Sequence, residues 1–211
     1  MSEIDKKAHQ AFLDSFYGWA GPIYDLTRRY YLVGREAALD ALDREPWNRL
    51  VEIGPGTGRN LEKLHRKRPY AQLGGVEPSR AMLDRARRRC PYATLVEGFA
   101  EDAEYGSLLD QRPDRVLFSY TLSMVQDPMA ALMNARRQVA PDGEVLVVDF
   151  GDLGQILEPF RTGLRRWLKS FHVEPIQPGL LEEAGPRLSF GWGRYWVMGR
   201  LPAAADATGS S

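Results

Sequence analysis

The feature that most constrains the fold is a glycine-rich loop between a predicted strand and a predicted helix. Residues 52–60 read EIGPGTGRN, with glycine at every second position from Gly54 to Gly58. The preceding run RLVEIG is short and apolar, which predicts a buried strand, and the following RNLEKLHRK has helical spacing. Glycines at such a junction let the backbone turn sharply and approach a ligand closely. Taken alone, they also fit a plain tight turn.

A carboxylate at the end of the next predicted strand makes the loop more informative. The run AQLGGVEP predicts that strand, which ends at Glu77, nineteen residues after Gly58. A carboxylate in this place accepts hydrogen bonds from the hydroxyls of a ribose. Glu52, just before the glycines, would repel a pyrophosphate and suits a ligand that carries an amino group. The segment therefore predicts a site for a nucleoside with a cationic end.

The rest of the chain continues to alternate strands with helices. Helical patterns over SRAMLDRARRR and DPMAALMNARRQV separate the predicted strands TLVEG, DRVLFSY and EVLVVDF. Such alternation predicts parallel strands joined by helices. The late segment SFGWGRYWVM lacks a long helix between its two strands and predicts a hairpin at the sheet edge. The expected α/β fold is a Rossmann-like, doubly wound, mostly parallel seven-stranded sheet with an antiparallel edge hairpin and an N-terminal helical extension.

The chain divides into three predicted segments. Residues 1–45 look helical, because apolar residues recur every fourth position from Ile4 to Phe16, and we expect them to form a lid or substrate region. Residues 46–202 form the predicted α/β domain. Residues 203–211 are small and polar, which predicts a disordered tail.

Composition excludes several classes of protein. The 211 residues contain 28 Lys plus Arg and 28 Asp plus Glu, so bulk charge does not favour a nucleic-acid partner. The single cysteine, Cys90, excludes a disulfide framework and a cysteine-built zinc site. No apolar run approaches the roughly 20 residues of a membrane span, and the polar start MSEIDKKAHQ is no secretory signal. We therefore expect a cytoplasmic location.

At the loop and its acid the chain resembles a known family. EIGPGTGRN followed by GVEPSRAML resembles the first two motifs of class I S-adenosylmethionine-dependent methyltransferases. The resemblance implies S-adenosylmethionine as cofactor and S-adenosylhomocysteine as product. It implies that the three loop glycines carry the methionine end, that Glu77 holds the ribose, and that Pro78 and Met82 flank the adenine.

The third motif departs from the family pattern. Family members often read Gly-Asp-Ala after the third strand, whereas this chain reads Gly98-Phe99-Ala100-Glu101. Either Glu101 or Asp102 meets the adenine amine, or Phe99 supplies apolar cover instead. The predicted cofactor site comprises Tyr17, Arg35, Glu52, Gly54, Gly56, Gly58, Asn60, Glu77, Pro78, Met82, Ala100, Glu101 and Ser119.

Other segments bear on the methyl acceptor. There is no Asn-Pro-Pro-Tyr or Asp-Pro-Pro-Tyr stretch, which argues against nucleobase amines, and Asp149 alone does not make a magnesium site, so no metal is expected. YDLTRRYYLVGR, FSYTLSM, VVDFG and FHV together resemble the bacterial N-methyltransferases of betaine-lipid synthesis, relatives of phosphatidylethanolamine N-methyltransferases. This resemblance implies trimethylation of the amine of diacylglycerylhomoserine and association with the enzyme that makes that lipid.

An amine that becomes quaternary favours aromatic neighbours and a proton acceptor. Tyrosine faces stabilise a methylated ammonium by about 0.5–2 kcal/mol each. His172 has a suitable ordinary pKa to take the proton, although solvent could also take it. Arg28, Arg29 and Arg35 are candidates for the lipid carboxylate, and Arg35 or Arg59 alternatively for the carboxylate of the cofactor. The candidate catalytic residues are Tyr24, Tyr31, Tyr120 and His172.

A lipid substrate requires access to a bilayer. A stripe of apolar residues at helical spacing lies among basic residues, which predicts peripheral contact with anionic membrane at its inner face. The same pattern fits a core-facing helix with a solvated basic back. The stripe is Ile156, Phe160, Leu164, Trp167, Leu168 and Phe171, and the basic residues are Arg161, Arg165, Arg166 and Lys169.

Three alternatives to the betaine-lipid hypothesis remain at this stage. They are phosphatidylethanolamine N-methylation, methylation of another small molecule at nitrogen or oxygen, and a cofactor-binding subunit without activity. A further run of Arg85, Arg87, Arg88 and Arg89 is expected to be a solvated helix face.

Overall fold

The computed structural model describes residues 32–169 and 173–205. Within them a seven-stranded sheet has the order β3-β2-β1-β4-β5-β7-β6. Strands β1 to β5 pair in parallel, and β7 is antiparallel to both β5 and β6. The predicted fold is confirmed, including the hairpin that ends the sheet. The strands are β1 Arg49–Ile53, β2 Gln72–Glu77, β3 Thr94–Glu97, β4 Arg115–Ser119, β5 Glu144–Phe150, β6 Ser189–Phe190 and β7 Trp196–Pro202.

Helices connect the parallel strands and flank the sheet. Most of them begin and end close to the positions that the sequence pattern predicts, because capping residues mark the boundaries. The last α-helix begins only at Phe160, so Ile156 of the predicted apolar stripe lies before it. Ser79 Oγ accepts a hydrogen bond from Met82 N, and Asp127 Oδ1 accepts one from Ala130 N. The α-helices are α1 Gly34–Asp43, α2 Arg59–Lys67, α3 Arg80–Arg89, α4 Pro128–Gln138 and α5 Phe160–Lys169, and 3₁₀ segments occur at Leu122–Met124, Pro178–Arg187 and Trp192–Arg194.

The core has one layer on each face of the sheet, since consecutive strand residues point to opposite faces. In β1, Leu50 packs with the layer that includes α1, α2 and α3, and Val51 packs with the layer that includes α4. Strands β1, β4 and β5 are buried almost throughout, which explains their continuous apolar runs.

Helix α1 belongs to this core. Ala38, Leu39 and Leu42 are buried in the same cluster as Leu50, and a side chain at Gly34 would come within 2.8 Å of Val148 Cγ2. The predicted boundary after residue 45 therefore does not coincide with a break in packing. The lid role of residues 1–45 stays a prediction, because residues 1–31 lie outside the described part, as do residues 206–211 of the predicted tail.

Helix α5 divides its predicted apolar stripe between two environments. Leu168 is buried and Leu164 packs against the core, whereas Phe160 and Trp167 are exposed. One side of this helix therefore faces the core, and its contact with a membrane stays a prediction. Phe171 lies outside the described residues. No helix in the described ranges is long and apolar enough to cross a bilayer.

Charged residues cluster where the parallel strands begin. Glu144 is buried and lies between the guanidinium groups of Arg200 and Arg115, the latter with its Nε 3.4 Å from Glu144 Oε1. Glu45 also accepts hydrogen bonds from both arginines, and the bond from Arg200 is the main reason why the pKa of Glu45 is lowered. This network links the side chains of β4, β5 and β7 at the edge of the sheet opposite to the glycine loop.

Candidate functional site

The glycine loop lies between β1 and α2, at the edge where the parallel strands end. Gly54, Gly56 and Gly58 have φ of +66°, +57° and +79°, a conformation that side chains disfavour. The amide of Gly54 donates to Val76 O at 2.8 Å, and a Cβ on Gly54 would lie 2.5 Å from Thr121 Cγ2. The loop therefore requires glycine for its turn and for its contact with the segment after β4.

Glu77, at the end of β2, is fixed beside this loop. One carboxylate oxygen accepts from Gly56 N at 2.9 Å, and the other accepts from Ser79 N at 3.0 Å. Because both amides orient the buried carboxylate, it is set to receive the hydroxyls of a ribose with little rearrangement.

Glu52 and its neighbours form a polar pocket with unmet hydrogen-bonding capacity. Glu52 Oε1 accepts from Asn60 Nδ2 at 2.7 Å, but Glu52 Oε2, Asn60 Oδ1 and Ser119 Oγ are buried without a hydrogen-bond partner among the described residues. Burial raises the pKa of Glu52 to about 7, while the bond from Asn60 and the charge of Arg35 oppose the rise. Buried acceptors of this kind fit a ligand that brings an ammonium group.

The second part of the cleft is mainly apolar. It is lined by Pro78, Met82, Phe99 and Ala100 and by residues of the segment that follows β4. Glu101 also lines this part, whereas Asp102 does not. Of the alternatives for the adenine end, the lining thus includes both Glu101 and the apolar cover of Phe99. Further lining residues are Ile53, Val76, Tyr120, Thr121, Met124, Val125 and Gln126.

The two parts form a continuous cleft, because Gly54, Gly56 and Met82 line both. A polar end with unmet acceptors, a central carboxylate and an apolar end match the amino acid, ribose and adenine of S-adenosylmethionine in order. The residues present therefore fit this cofactor. Within the described ranges there is no group of three or more His, Cys, Asp or Glu side chains that could hold a metal ion.

Comparison with known proteins agrees with this geometry. Residues 51–147 match the family model of the methyltransferase domain. Demethylmenaquinone methyltransferase of Renibacterium salmoninarum is 27% identical over 176 residues, which cover 79% of this chain and 69% of that protein. Trans-aconitate 2-methyltransferase of Yersinia pseudotuberculosis is 33% identical over 104 residues, 49% of this chain and 38% of that protein.

A solved structure extends the likeness of fold to nearly the whole chain. The S-adenosylmethionine-dependent methyltransferase of Thermotoga maritima superimposes with a TM-score of 0.63 at 22% identity, covering 92% of this chain and 97% of the other. The solved structure shows the shared fold, and the matched domain together with the cleft makes the protein an S-adenosylmethionine-dependent methyltransferase. Its expected cofactor and enzymatic class are thereby confirmed.

The structure brings most of the predicted cofactor residues to one cleft. Arg35, Glu52, Asn60 and Ser119 line its polar part, and Glu77, Pro78, Met82, Ala100 and Glu101 line its apolar part. Gly58 does not line it, because this glycine caps the start of α2 beside Cys90. Tyr17, Tyr24, Tyr31 and His172 lie outside the described residues, so their roles stay predictions.

The sequence predicted that Tyr120 offers an aromatic face to the methylated ammonium, but in the structure the side chain makes other contacts. Its side chain is only 1% exposed, its hydroxyl accepts from Gly34 N at 2.9 Å, and its ring meets Phe150 edge-on at 4.8 Å. Burial raises the pKa of Tyr120, so the hydroxyl stays protonated. The side chain therefore joins α1 to the end of β4, and a direct contact with the methylated nitrogen remains a prediction.

One contact at the loop was missed by the sequence analysis. Arg89 Nη1 donates to Thr57 O at 2.7 Å and to Thr57 Oγ1 at 2.8 Å, and Arg87 Nη2 donates to Leu95 O at 3.0 Å. The expectation of a solvated arginine run is wrong for Arg89, whereas Arg87 is exposed as expected. The end of α3 packs beside the loop, and no local pattern in the sequence signals that approach.

Proposed function

We propose that this methyltransferase acts on the head-group amine of a polar lipid, with diacylglycerylhomoserine as the leading acceptor and its trimethylated betaine lipid as product. The observation that carries the proposal is the charge of the larger, apolar part of the cleft. Its charged lining residues in the described part are Glu77 and Glu101, without Lys, Arg or His. Because both acids belong to the cofactor, the lining left for the acceptor is the uncharged segment after β4, which offers an anionic acceptor no cationic partner in the described part and admits an amine.

The main contribution of the protein to the reaction is to hold the cofactor and the acceptor in position. When bound, S-adenosylmethionine supplies an electrophilic methyl group on its sulfonium sulfur. Glu77 and the glycine loop hold the ribose and amino acid ends, and Glu52 with Ser119 accepts hydrogen bonds from the ammonium group. Fixing two reactants in a reactive orientation supplies a large share of the reduction of the activation barrier in such a transfer.

The residues proposed to handle the acceptor lie in the parts not described. Tyr24 and Tyr31 would offer faces to the methylated ammonium, Arg28 and Arg29 would pair with a lipid carboxylate, and His172 would take the proton. Phosphatidylethanolamine is the nearest alternative substrate, in which a phosphate would replace the carboxylate as the partner of the arginines.

A second candidate is a smaller acceptor. The relatives named above are a demethylmenaquinone methyltransferase and a trans-aconitate 2-methyltransferase, and this favours a soluble or quinone acceptor. Against a tricarboxylate stands the lack of Lys, Arg and His in the described lining of this part of the cleft, which leaves its carboxylates without a cationic partner.

The test is a competition among acceptors. Purified protein receives labelled S-adenosylmethionine with detergent-dispersed diacylglycerylhomoserine, phosphatidylethanolamine, demethylmenaquinone or trans-aconitate, and mass spectrometry locates the methyl groups. We expect up to three methyl groups on the homoserine nitrogen. Transfer only to demethylmenaquinone or trans-aconitate would contradict the proposal. Gly56→Val is the inactive control, because its φ of +57° strains a branched side chain at the cleft.

A further inference from the structure

Four large apolar side chains are exposed on one region of the molecule. Leu157 is 80%, Phe160 76%, Trp192 82% and Trp167 37% exposed. Scattered exposed apolar residues are ordinary, but a group of them with aromatic character commonly marks an interaction site.

The backbone brings these residues together. Gln155 N donates to Gly193 O at 3.4 Å, and Gly193 lies so close to Ile156 that a Cβ would be 2.7 Å from Ile156 Cγ1. The loop that carries Trp192 therefore lies beside the segment that leads through Leu157 into α5. On α5, Phe160 and Trp167 are seven residues apart and so lie on the same side of the helix.

The surroundings are basic. The acids within residues 151–169 are Asp152 and Glu158, and each is paired with an arginine, Arg194 and Arg161 respectively. Arg165, Arg166 and Lys169 are exposed and have no acidic side-chain partner among the described residues. We call this the aromatic–basic surface; it comprises Leu157, Phe160, Arg161, Arg165, Arg166, Trp167, Lys169 and Trp192.

The aromatic–basic surface emerges at the same edge of the sheet as the cofactor cleft. Strands β5 and β7 pair with Phe150 opposite Trp196, and both connecting segments, which carry Leu157 and Trp192, leave the sheet there. The parallel strands β1, β2 and β4 also end at this edge, where Gly54, Glu77 and Ser119 lie. A partner bound to the aromatic–basic surface would therefore lie on the side from which an acceptor enters the cleft.

We propose that the aromatic–basic surface docks onto an anionic lipid bilayer, and that it presents the cleft to lipid head groups; the second half of this inference rests on the proposed function. Exposed aromatic and apolar side chains enter the interfacial region, and basic residues pair with anionic head groups. Each basic residue near such a surface raises affinity about fivefold. The charge complementarity and the apolar anchors together favour a bilayer over an acidic protein.

The first measurement is vesicle flotation of the 211-residue chain. Vesicles contain phosphatidylcholine alone or with about 30 mol% phosphatidylglycerol, which makes the surface negative. We expect binding to require the anionic lipid and to weaken as salt rises, because the Debye length shortens from about 10 Å at 0.1 M. A residual part that resists salt should come from the apolar anchors.

Three variants separate the contributions. Arg165→Glu with Arg166→Glu should lower affinity for anionic vesicles at least about 25-fold, since each lost basic residue removes about fivefold. Phe160→Ser with Trp192→Ser should remove the salt-resistant part. Arg85→Glu with Arg88→Glu, an equal charge change on α3, is the matched control and should retain binding. Unchanged affinity for S-adenosylmethionine verifies that each variant is folded.

The outcomes separate this inference from the proposed function. Docking is supported if the variants of the aromatic–basic surface lose vesicle binding while the control on α3 keeps it. This holds whichever acceptor is methylated. Equal loss in both pairs, or wild-type binding in the α5 variants, overturns it. Self-association that Phe160→Ser abolishes, without vesicle binding, would also overturn it in favour of a contact between copies. If only the proposed function is wrong, vesicles still bind but no lipid is methylated.

Discussion

Glu52 is a buried acid whose charge depends on what occupies the polar pocket. Burial raises its pKa to about 7, so in the free protein near neutral pH the carboxyl is partly protonated. The sign of its effect on stability follows: its contribution is full below the unfolded pKa of 4.5 and is lost as pH rises through about 7. A bound ammonium group opposes the effect of burial on the pKa of Glu52, because its positive charge favours the ionised carboxylate.

We therefore predict that the affinity for S-adenosylmethionine rises with pH. Between about pH 6 and about pH 7.5 the ionised fraction of a group with pKa about 7 grows about eightfold, and the affinity should rise by a similar factor. Calorimetry in buffers of different ionisation enthalpy should detect proton release on binding. Glu52→Gln should flatten the pH profile and abolish the release; a profile as steep as that of the wild type would mean that another group titrates.

Glu77 offers a second prediction at the scale of one residue. Glu77→Ala should weaken binding of S-adenosylmethionine by about 1–3 kcal/mol, because charge-assisted hydrogen bonds to the ribose are lost. The matched control is Glu97→Ala, at the neighbouring strand end in register with Glu77, where the acid pairs with the exposed Arg80 instead. Isothermal titration compares the two variants. Similar dissociation constants for both would remove Glu77 from the site.

At the scale of elements, α3 supports the glycine loop through Arg89. Arg89→Ala should remove both hydrogen bonds to Thr57, loosen the loop and raise the dissociation constant of S-adenosylmethionine several-fold, with a stability loss of about 1–2 kcal/mol. Arg88→Ala, at an exposed neighbouring position on the same helix, is the comparison. Titration and thermal melting of both variants check this, and indistinguishable affinities would show that the loop holds its own shape.

The sequence predicts elements well where local patterns define them. The apolar run of β5 and the helical spacing of α2 coincide with the observed elements, and Glu77 falls at a strand end as predicted. Contacts between distant residues leave no such pattern. The bonds of Arg89 to Thr57 and of Gly34 to the Tyr120 hydroxyl depend on how α3 and α1 pack, so sequence periodicity could not indicate them.

At the scale of the whole molecule, the two edges of the sheet have separate tasks. The buried Glu144 neutralises arginines at one edge, and the cofactor residues occupy the other. Glu144→Gln should cost about 2–3 kcal/mol, somewhat below the 3–5 kcal/mol of a fully buried pair because Arg200 reaches water. The affinity for S-adenosylmethionine should not change.

Thermal melting and titration check this separation of tasks. Glu36→Gln, which breaks an exposed pair with Lys63, is the control and should cost under about 0.5 kcal/mol. A loss of cofactor affinity in Glu144→Gln would show that the two edges are coupled through the strands.

The position of β7 has a consequence for synthesis of the chain. This strand is the last of the seven to be translated, yet it lies inside the sheet between β5 and β6 and pairs with β5 from Glu144–Pro202 to Phe150–Trp196. Until it leaves the ribosome, the nascent chain presents β5 as an open edge of consecutive apolar residues, ready to pair with another chain. Completion of the fold, and protection from aggregation, thus waits for residues 196–202 rather than for the cofactor-binding half.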